Sequence, residues 1–237
     1  MSNSRGKYGI DAPYAPAMMI AGAIFCVGLM VFAHLTQLWI SAVILLLLAG
    51  FYLHTTLRGK FLVWREVLDA VPWRGDERVL DLGCGRGALL LMAARHIPVG
   101  RAVGIDIWST KDQSGNSMAV TEENARAEGV AGRVELHTAD MRKLPFESDT
   151  FDVIVSNVAI HNISAKDGRA MAIDEAWRVL RPGGRLLIAD ISRSREYQRR
   201  LVQLGMTVNS HNLGWRMWWG GPWMSTMLID GRKPMAS

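Results

Sequence analysis

The feature that most constrains this chain is an absence of charge: residues 12–57 contain no Asp, Glu, Lys or Arg. Within that run, residues 17–35 and 38–57 are each long enough to cross a hydrocarbon core of about 30 Å at about 1.5 Å per helical residue. Thr36 and Gln37 form the only polar break between them, which predicts a helical hairpin with both ends on one side. Arg5 and Lys7 precede the run and Arg58, Lys60 and Arg65 follow it. The positive-inside bias therefore places both termini, and everything after the hairpin, on the cytoplasmic side of an integral membrane protein. A signal peptide would carry a shorter apolar core, roughly 7–15 residues, before a small-residue cleavage pattern; a buried soluble hairpin is the other alternative. Tyr14, Trp39 and Tyr52 sit near the ends of the runs, where amphipathic rings favour the interface, and His34 and Gln37 fall at the far surface.

The 237 residues leave room for one ordinary domain after the hairpin and exclude a large multidomain protein. Cys26 and Cys84 have neither zinc-site nor disulfide spacing, so a reducing compartment and no metal are expected. The net charge of +5 is unevenly spread, with residues 181–237 basic and 104–152 acidic. Beside a membrane segment, such a basic end implies anionic lipid headgroups before nucleic acid.

After the hairpin, a helical spacing over residues 60–71 stops at Pro72. Short apolar runs at 79–82, 102–107, 134–138, 151–157 and 185–191 then alternate with helical patterns at 88–97, 117–128, 170–180 and 194–204. This alternation predicts an α/β fold, a mostly parallel sheet with helices on both faces. Two more strands, 206–212 and 223–230, are joined by a loop rich in Gly and Trp. The expected organisation is a tail (1–16), the hairpin (17–57), a connecting helix (58–77) and a catalytic domain (78–237).

The run VLDLGCGRG (79–87) is a buried strand entering a glycine turn and then a helix, so its backbone can approach a ligand closely. Gly83, Gly85 and Ala88 also satisfy the dinucleotide spacing, with Asp106 placed for a ribose, which leaves a nicotinamide-dependent oxidoreductase open on this motif alone. The ordered set VLDLGCGRG, GIDIW, TADMRKLPF, FDVIVSN and VLRPGGRLLIADI, however, resembles class I S-adenosylmethionine-dependent methyltransferases across most of residues 78–190. The likeness is to a small-molecule and lipid branch (methyltransferase type 11-like) that includes quinone and sterol C-methyltransferases. It implies a Rossmann-like sheet with the last strand antiparallel and S-adenosylmethionine as cofactor.

Carried over by position, the resemblance places Gly83, Gly85 and Gly87 beside the methionine part of the cofactor, with Asp81 closing the first strand. Asp106 falls where an acid accepts from both ribose hydroxyls, a natural pairing because a carboxylate offers two acceptor oxygens to a diol; Ile107 lies beside it. Asp140 matches the acid that takes the adenine amino group, with the Met141 backbone at the ring edge, and Asn157 falls between the cofactor's amino acid end and the acceptor. The loop 108–116, WSTKDQSGN, is expected to fold over the adenosine. Ser156-Asn157-Val158-Ala159 stands where base-methylating enzymes carry an Asn-Pro-Pro-Tyr type motif, so nucleic acid is disfavoured as substrate, and two cysteines are too few for arsenite methylation.

Methyl transfer from a sulfonium needs alignment and exclusion of water more than it needs a base. His161 is the candidate where the acceptor must lose a proton, because imidazole titrates near neutrality. Trp215, Trp218, Trp219 and Trp223, near Arg193, Arg195, Arg199, Arg200 and Arg216, suggest an interfacial belt, with sheet-edge packing or an apolar substrate wall as alternatives. The expected activity is methylation of a lipophilic or small-molecule acceptor: a phospholipid amine, a quinone or isoprenoid, a thiol or a phenol. A membrane-tethered cofactor-binding scaffold without turnover is the alternative.

Overall fold

The computed structural model describes residues 6–109 and 113–235. Helix α1 (Tyr14–Phe32) begins just after Pro13, with Pro16 in its first turn, where a missing N–H costs nothing. It ends short of the apolar run because His34 takes a left-handed backbone, φ +57°. A 3-10 turn (Thr36–Leu38) leads into α2 (Trp39–His54). The connecting helix predicted from residue 58 continues α2: a π turn (Thr55–Gly59) passes directly into α3 (Lys60–Asp69). By length and composition α1 and the 36–69 helix could each cross a membrane, with mean hydropathies of 2.2 and 2.0. Their outer faces are bare, with Phe25, Phe32 and Leu47 exposed.

The π turn has a local cause. The Thr55 hydroxyl donates to the Trp218 carbonyl at 2.7 Å, and a Cβ on Gly59 would lie 1.9 Å from the Arg216 carbonyl oxygen. The helix thus widens where it meets the backbone of the Trp-rich loop, and only glycine admits that approach.

The remaining chain forms β1 (Arg78–Leu82), α4 (Ala88–His96), β2 (Arg101–Asp106), α5 (Met118–Ala127), β3 (Val134–Thr138) and β4 (Phe151–Asn157). Then follow α6 (Lys166–Val179), β5 (Leu180–Asp190), α7 (Ser194–Gln203), β6 (Thr207–Asn212) and β7 (Met227–Arg232). The strand order is β3-β2-β1-β4-β5-β7-β6, parallel through β5, with β7 antiparallel to both neighbours. Alternate residues serve the two faces: Val79, Val153 and Leu187 pack with Trp64, Leu68 and α4, whereas Leu80, Ile154 and Leu186 pack with α6 and Leu201. Three predicted boundaries shift by four or five residues, the first being the start of α6, at Lys166 where 170 was expected. β5 begins at Leu180, its Arg181–Gly184 segment bulging between the pairs Phe151/Leu180 and Val153/Arg185, so α6 ends earlier than expected. Residues 222–224 form a 3-10 turn, and β7 starts only at Met227.

This layering puts the C-terminal ends of β1, β2 and β4 on one edge, beneath α1 and α2. A Gly59→Ala substitution is expected to destabilise the fold by about 1–3 kcal/mol, the usual cost of overpacking. That is a fall of roughly 2–12 °C in melting temperature for a chain of this size, readable by thermal unfolding of detergent-solubilised protein; an unchanged melting temperature would contradict the packing described.

Candidate active site

β1 delivers its chain into a turn that runs against the end of β2: the Gly83 and Cys84 N–H groups both donate to the Ile105 carbonyl. Gly83 and Gly85 have φ of +76° and +51°, and a Cβ on either would meet Ala159 Cβ or Gln113 Oε1 at 2.5 Å. The turn is thus glycine-dependent for both conformation and space. Gly87, also left-handed, precedes α4 as its N-cap and does not line the cavity described next.

A cavity of about 830 Å³ lies over the strand ends. It brings together Asp81, Gly83, Gly85, Asp106, Ile107, Asp140, Met141, Asn157 and His161 from four strands and their loops. Asp81 is fully buried, and its Oδ2 has no hydrogen-bond partner among the described residues. Burial, with the neighbouring Asp106 charge, pushes its carboxyl up to about 8. Asp106 Oδ2 accepts from the Gly85 N–H at 2.8 Å, and Oδ1 accepts from the Trp108 N–H at 2.6 Å and the Asn116 amide at 3.3 Å. Its acceptor sites are therefore partly used, and binding a diol through both oxygens would displace the long Asn116 bond. Asp140 is gripped by Arg142, whose Nε lies 3.0 and 2.9 Å from its two oxygens, and this guanidinium holds the carboxyl below the usual range. Residues 110–112 of the loop expected over the adenosine lie outside the described residues; Gln113 and Asn116 face the cavity.

On the acceptor side, the Asn157 Oδ1 accepts from the buried Trp64 indole at 2.8 Å, leaving its amide N–H groups for the cavity. The next residue, Val158, has φ +52°, a costly conformation for a β-branched side chain, fixed by its N–H donating to the Ala189 carbonyl. His161 Nδ1 lies 2.7 Å from Oδ1 of the fully buried Asp190, an ion-pair distance at which the ring N–H is out of line for a hydrogen bond. Asp190 also accepts from the Ile191 and His161 N–H groups and the Tyr197 hydroxyl.

The sequence reading missed the roof. Residues 6–11 run as a strap across α5 and the loop before it: the Gly6 N–H and Tyr8 hydroxyl donate to Glu128, and Asn124 brackets Lys7. The strap ends at Asp11, which accepts from the Thr56 hydroxyl (2.7 Å), Lys60 Nζ (2.6 Å) and Gln113 Nε2 (2.9 Å). The other end of Gln113 accepts from the Arg86 N–H in the glycine turn. Asp11 directly precedes the uncharged run and Lys60 lies three residues past its end, so a hairpin that brings the two ends together was a signal for this pair.

Residues 79–184 match the sequence model of a family described as "Methyltransferase domain". Among curated proteins, the ubiquinone/menaquinone biosynthesis C-methyltransferase UbiE of Vibrio campbellii is 35% identical over 138 residues, covering 57% of this chain and 49% of the relative. Its Pseudomonas putida counterpart is 36% identical over 137 residues, covering 57% and 50%. The chain thus spans about half the length of the curated relatives it matches. A solved geranyl diphosphate methyltransferase in complex with SAM superposes with a TM-score of 0.59 at 17% identity, over 73% of this chain and 85% of that one. The [4+2]-cyclase SpnF superposes with a TM-score of 0.62 at 20% identity, over 74% and 81%; these distant neighbours establish the fold alone.

The residues present fit S-adenosylmethionine: the glycine turn offers a close-approach cradle, and the unpartnered Asp81 oxygen awaits a cationic or donor group. Because Asp81 is raised from about 3.9 unfolded, its protonated form stabilises the fold, a contribution lost as pH rises through about 8. Docking a cation beside it reverses that preference, so binding of S-adenosylmethionine at pH 7 is expected to expel a proton. Calorimetry in buffers of different ionisation heat checks this: Asp81→Asn should remove the buffer dependence, and wild-type heats identical in all buffers would contradict it. Residues 79–184 thus match a methyltransferase-domain model, within a sheet whose fold superposes on a solved geranyl diphosphate methyltransferase.

Proposed function

We propose that this chain is a membrane-anchored methyltransferase whose acceptor is a lipophilic, quinone-type ring. In this reading the hairpin lies in the bilayer, with both termini and the catalytic domain on the cytoplasmic side. The UbiE relatives support the acceptor class. The bare apolar faces of α1 and α2 support the anchor, since each large apolar side chain left in water forgoes about 1.5–3 kcal/mol. The single observation that carries the reading is that one cavity holds the glycine turn and strand-end acids beside Asn157 and His161.

S-adenosylmethionine supplies an activated methyl group, so this chain's residues position and deprotonate. The glycine turn, Asp81 and Asp106 hold the cofactor; Asp140 and Met141 flank its base. Asn157, fixed by Trp64, directs its free N–H groups at the boundary between cofactor and acceptor. His161, beside Asp190, would take a proton from the acceptor's ring hydroxyl. The ring carbon so made electron-rich would bond the methyl group as the methyl–sulfur bond breaks, and would then lose its own hydrogen as a proton to restore the aromatic ring. The strap and Trp-rich loop keep water away.

With the protein in bilayer discs, methyl-labelled cofactor and a hydroquinone carrying an isoprenoid tail should give label in the organic phase. His161→Ala should lower kcat by about 10²–10⁴-fold, the usual range for general base catalysis, while cofactor Kd stays within twofold. Full turnover of that variant at every pH would remove the base assignment, and absence of organic-phase product would count against the acceptor class.

A further inference from the structure

The cavity reaches beyond the glycine turn and the strand-end acids to residues of the hairpin and the Trp-rich loop. Ligand pockets run from about 300 to 1,000 Å³, and this one, at about 830 Å³, extends from the strand ends to the foot of the hairpin. Its exposed lining residues are the pair Ile107 and Arg142 beside the cofactor acids, Asn162, Ser164 and Ala165 in the segment before α6, and a second pair, Tyr14 and Met224, beneath α1. Between the second pair, the wall is built from Ala15 of α1, Tyr52 of α2 and Trp219 of the Trp-rich loop.

That wall has spent its polar atoms. The Tyr52 hydroxyl donates to the Asp11 carbonyl at 3.0 Å, the Trp219 indole donates to the Thr226 hydroxyl at 3.1 Å, and Lys60 Nζ is paired with Asp11. Tyr52 and Trp219 lock edge to face at 5.3 Å between ring centroids, so the wall is rigid and apolar. A polar ligand would find no free donor on Tyr52 or Trp219, whereas a hydrocarbon chain would lose nothing against them. The loop is held to the hairpin by the contact of Phe51 with Trp218, the stack of His54 on Trp215 and the approach of Met19 to Gly220. The second mouth therefore stays fixed at the level where the apolar helices leave the domain.

We infer that this second mouth, between Tyr14 and Met224, is a lateral portal through which the tail of a lipid acceptor reaches out of the active-site cavity into the bilayer. The ligand it takes is an amphiphile with a compact polar head and one flexible hydrocarbon tail. The head reaches Asn157 and His161 while the tail lies along Ala15, Tyr52 and Trp219. Cofactor uses the other mouth, beside Ile107 and Arg142, so the two substrates need not pass each other. The inference rests on the proposed membrane placement of the hairpin.

The test is photolabelling of the full chain in bilayer discs with a hydroquinone whose alkyl tail carries a diazirine, followed by peptide mapping. Label is expected on Tyr14, Ala15, Tyr52, Trp219 or Met224, and Ala15→Trp, which fills the portal, should reduce it at least tenfold while cofactor binding is retained. Label confined to outward side chains such as Phe25, Phe32 and Leu47, or unaffected by Ala15→Trp, would overturn the portal. Methyl transfer to the same probe is read in parallel. Portal labelling without transfer would keep the portal and sink the quinone reading, and transfer without portal labelling would do the opposite.

Discussion

The structure depends on one carboxylate. Asp11 lies at the last position before the uncharged run and accepts from Lys60, Thr56 and Gln113, while its main chain engages Thr56 and Tyr52. Lys60 is almost wholly buried, so its charge is tolerable only because Asp11 neutralises it; breaking such a pair from one side costs about 3–5 kcal/mol. Through these bonds the strap closes on the π turn, and through Gln113 and the Arg86 N–H the closure reaches the glycine turn. Hairpin, roof and cofactor cradle are thereby one mechanical unit.

A second link reaches the cavity from the same helix. Trp64 stands one turn beyond Lys60 and fixes Asn157, the residue before the left-handed Val158. Strain at Val158 and at Trp108, φ +59°, flanks the acceptor and cofactor ends of the cavity, where a rigid surround must hold unfavourable backbone in place. Two neighbouring residues of one helix face thus set the cavity's roof and the orientation of its central amide. This gives the hairpin's continuation a role inside the domain beyond tethering it.

Legibility in the sequence followed the range of the interactions. The parallel sheet could be read because strand and helix periods are local, and the resemblance could be carried onto Asp81, Asp106, Asp140 and Asn157 because each falls at or within two residues of a strand's end. The strap could not: Gly6 meets Glu128 across 122 residues, and a short polar segment has no periodicity to betray where it lies. Nor could the π turn, which exists because the Arg216 carbonyl occupies the space beside Gly59. The Trp-rich loop divides between the alternatives foreseen for it: Trp219 is buried against Tyr52, whereas Trp215 and Trp223 are exposed. Asp140 lines the cavity, and its capture by Arg142 two residues later is a local pairing that the sequence shows and the sequence reading passed over.

The central claim is that Asp11 couples the hairpin to the cofactor cradle through Gln113, and a double-mutant cycle on cofactor affinity tests it most directly. Kd for S-adenosylmethionine would be measured by calorimetry for the parent, Asp11→Ala, Gln113→Ala and the double variant. If the coupling is real, Asp11→Ala weakens binding in the parent background and loses more than half of that effect, in free energy, once Gln113 is gone. Fully additive effects, or an Asp11→Ala variant that binds the cofactor as tightly as the parent, would contradict it.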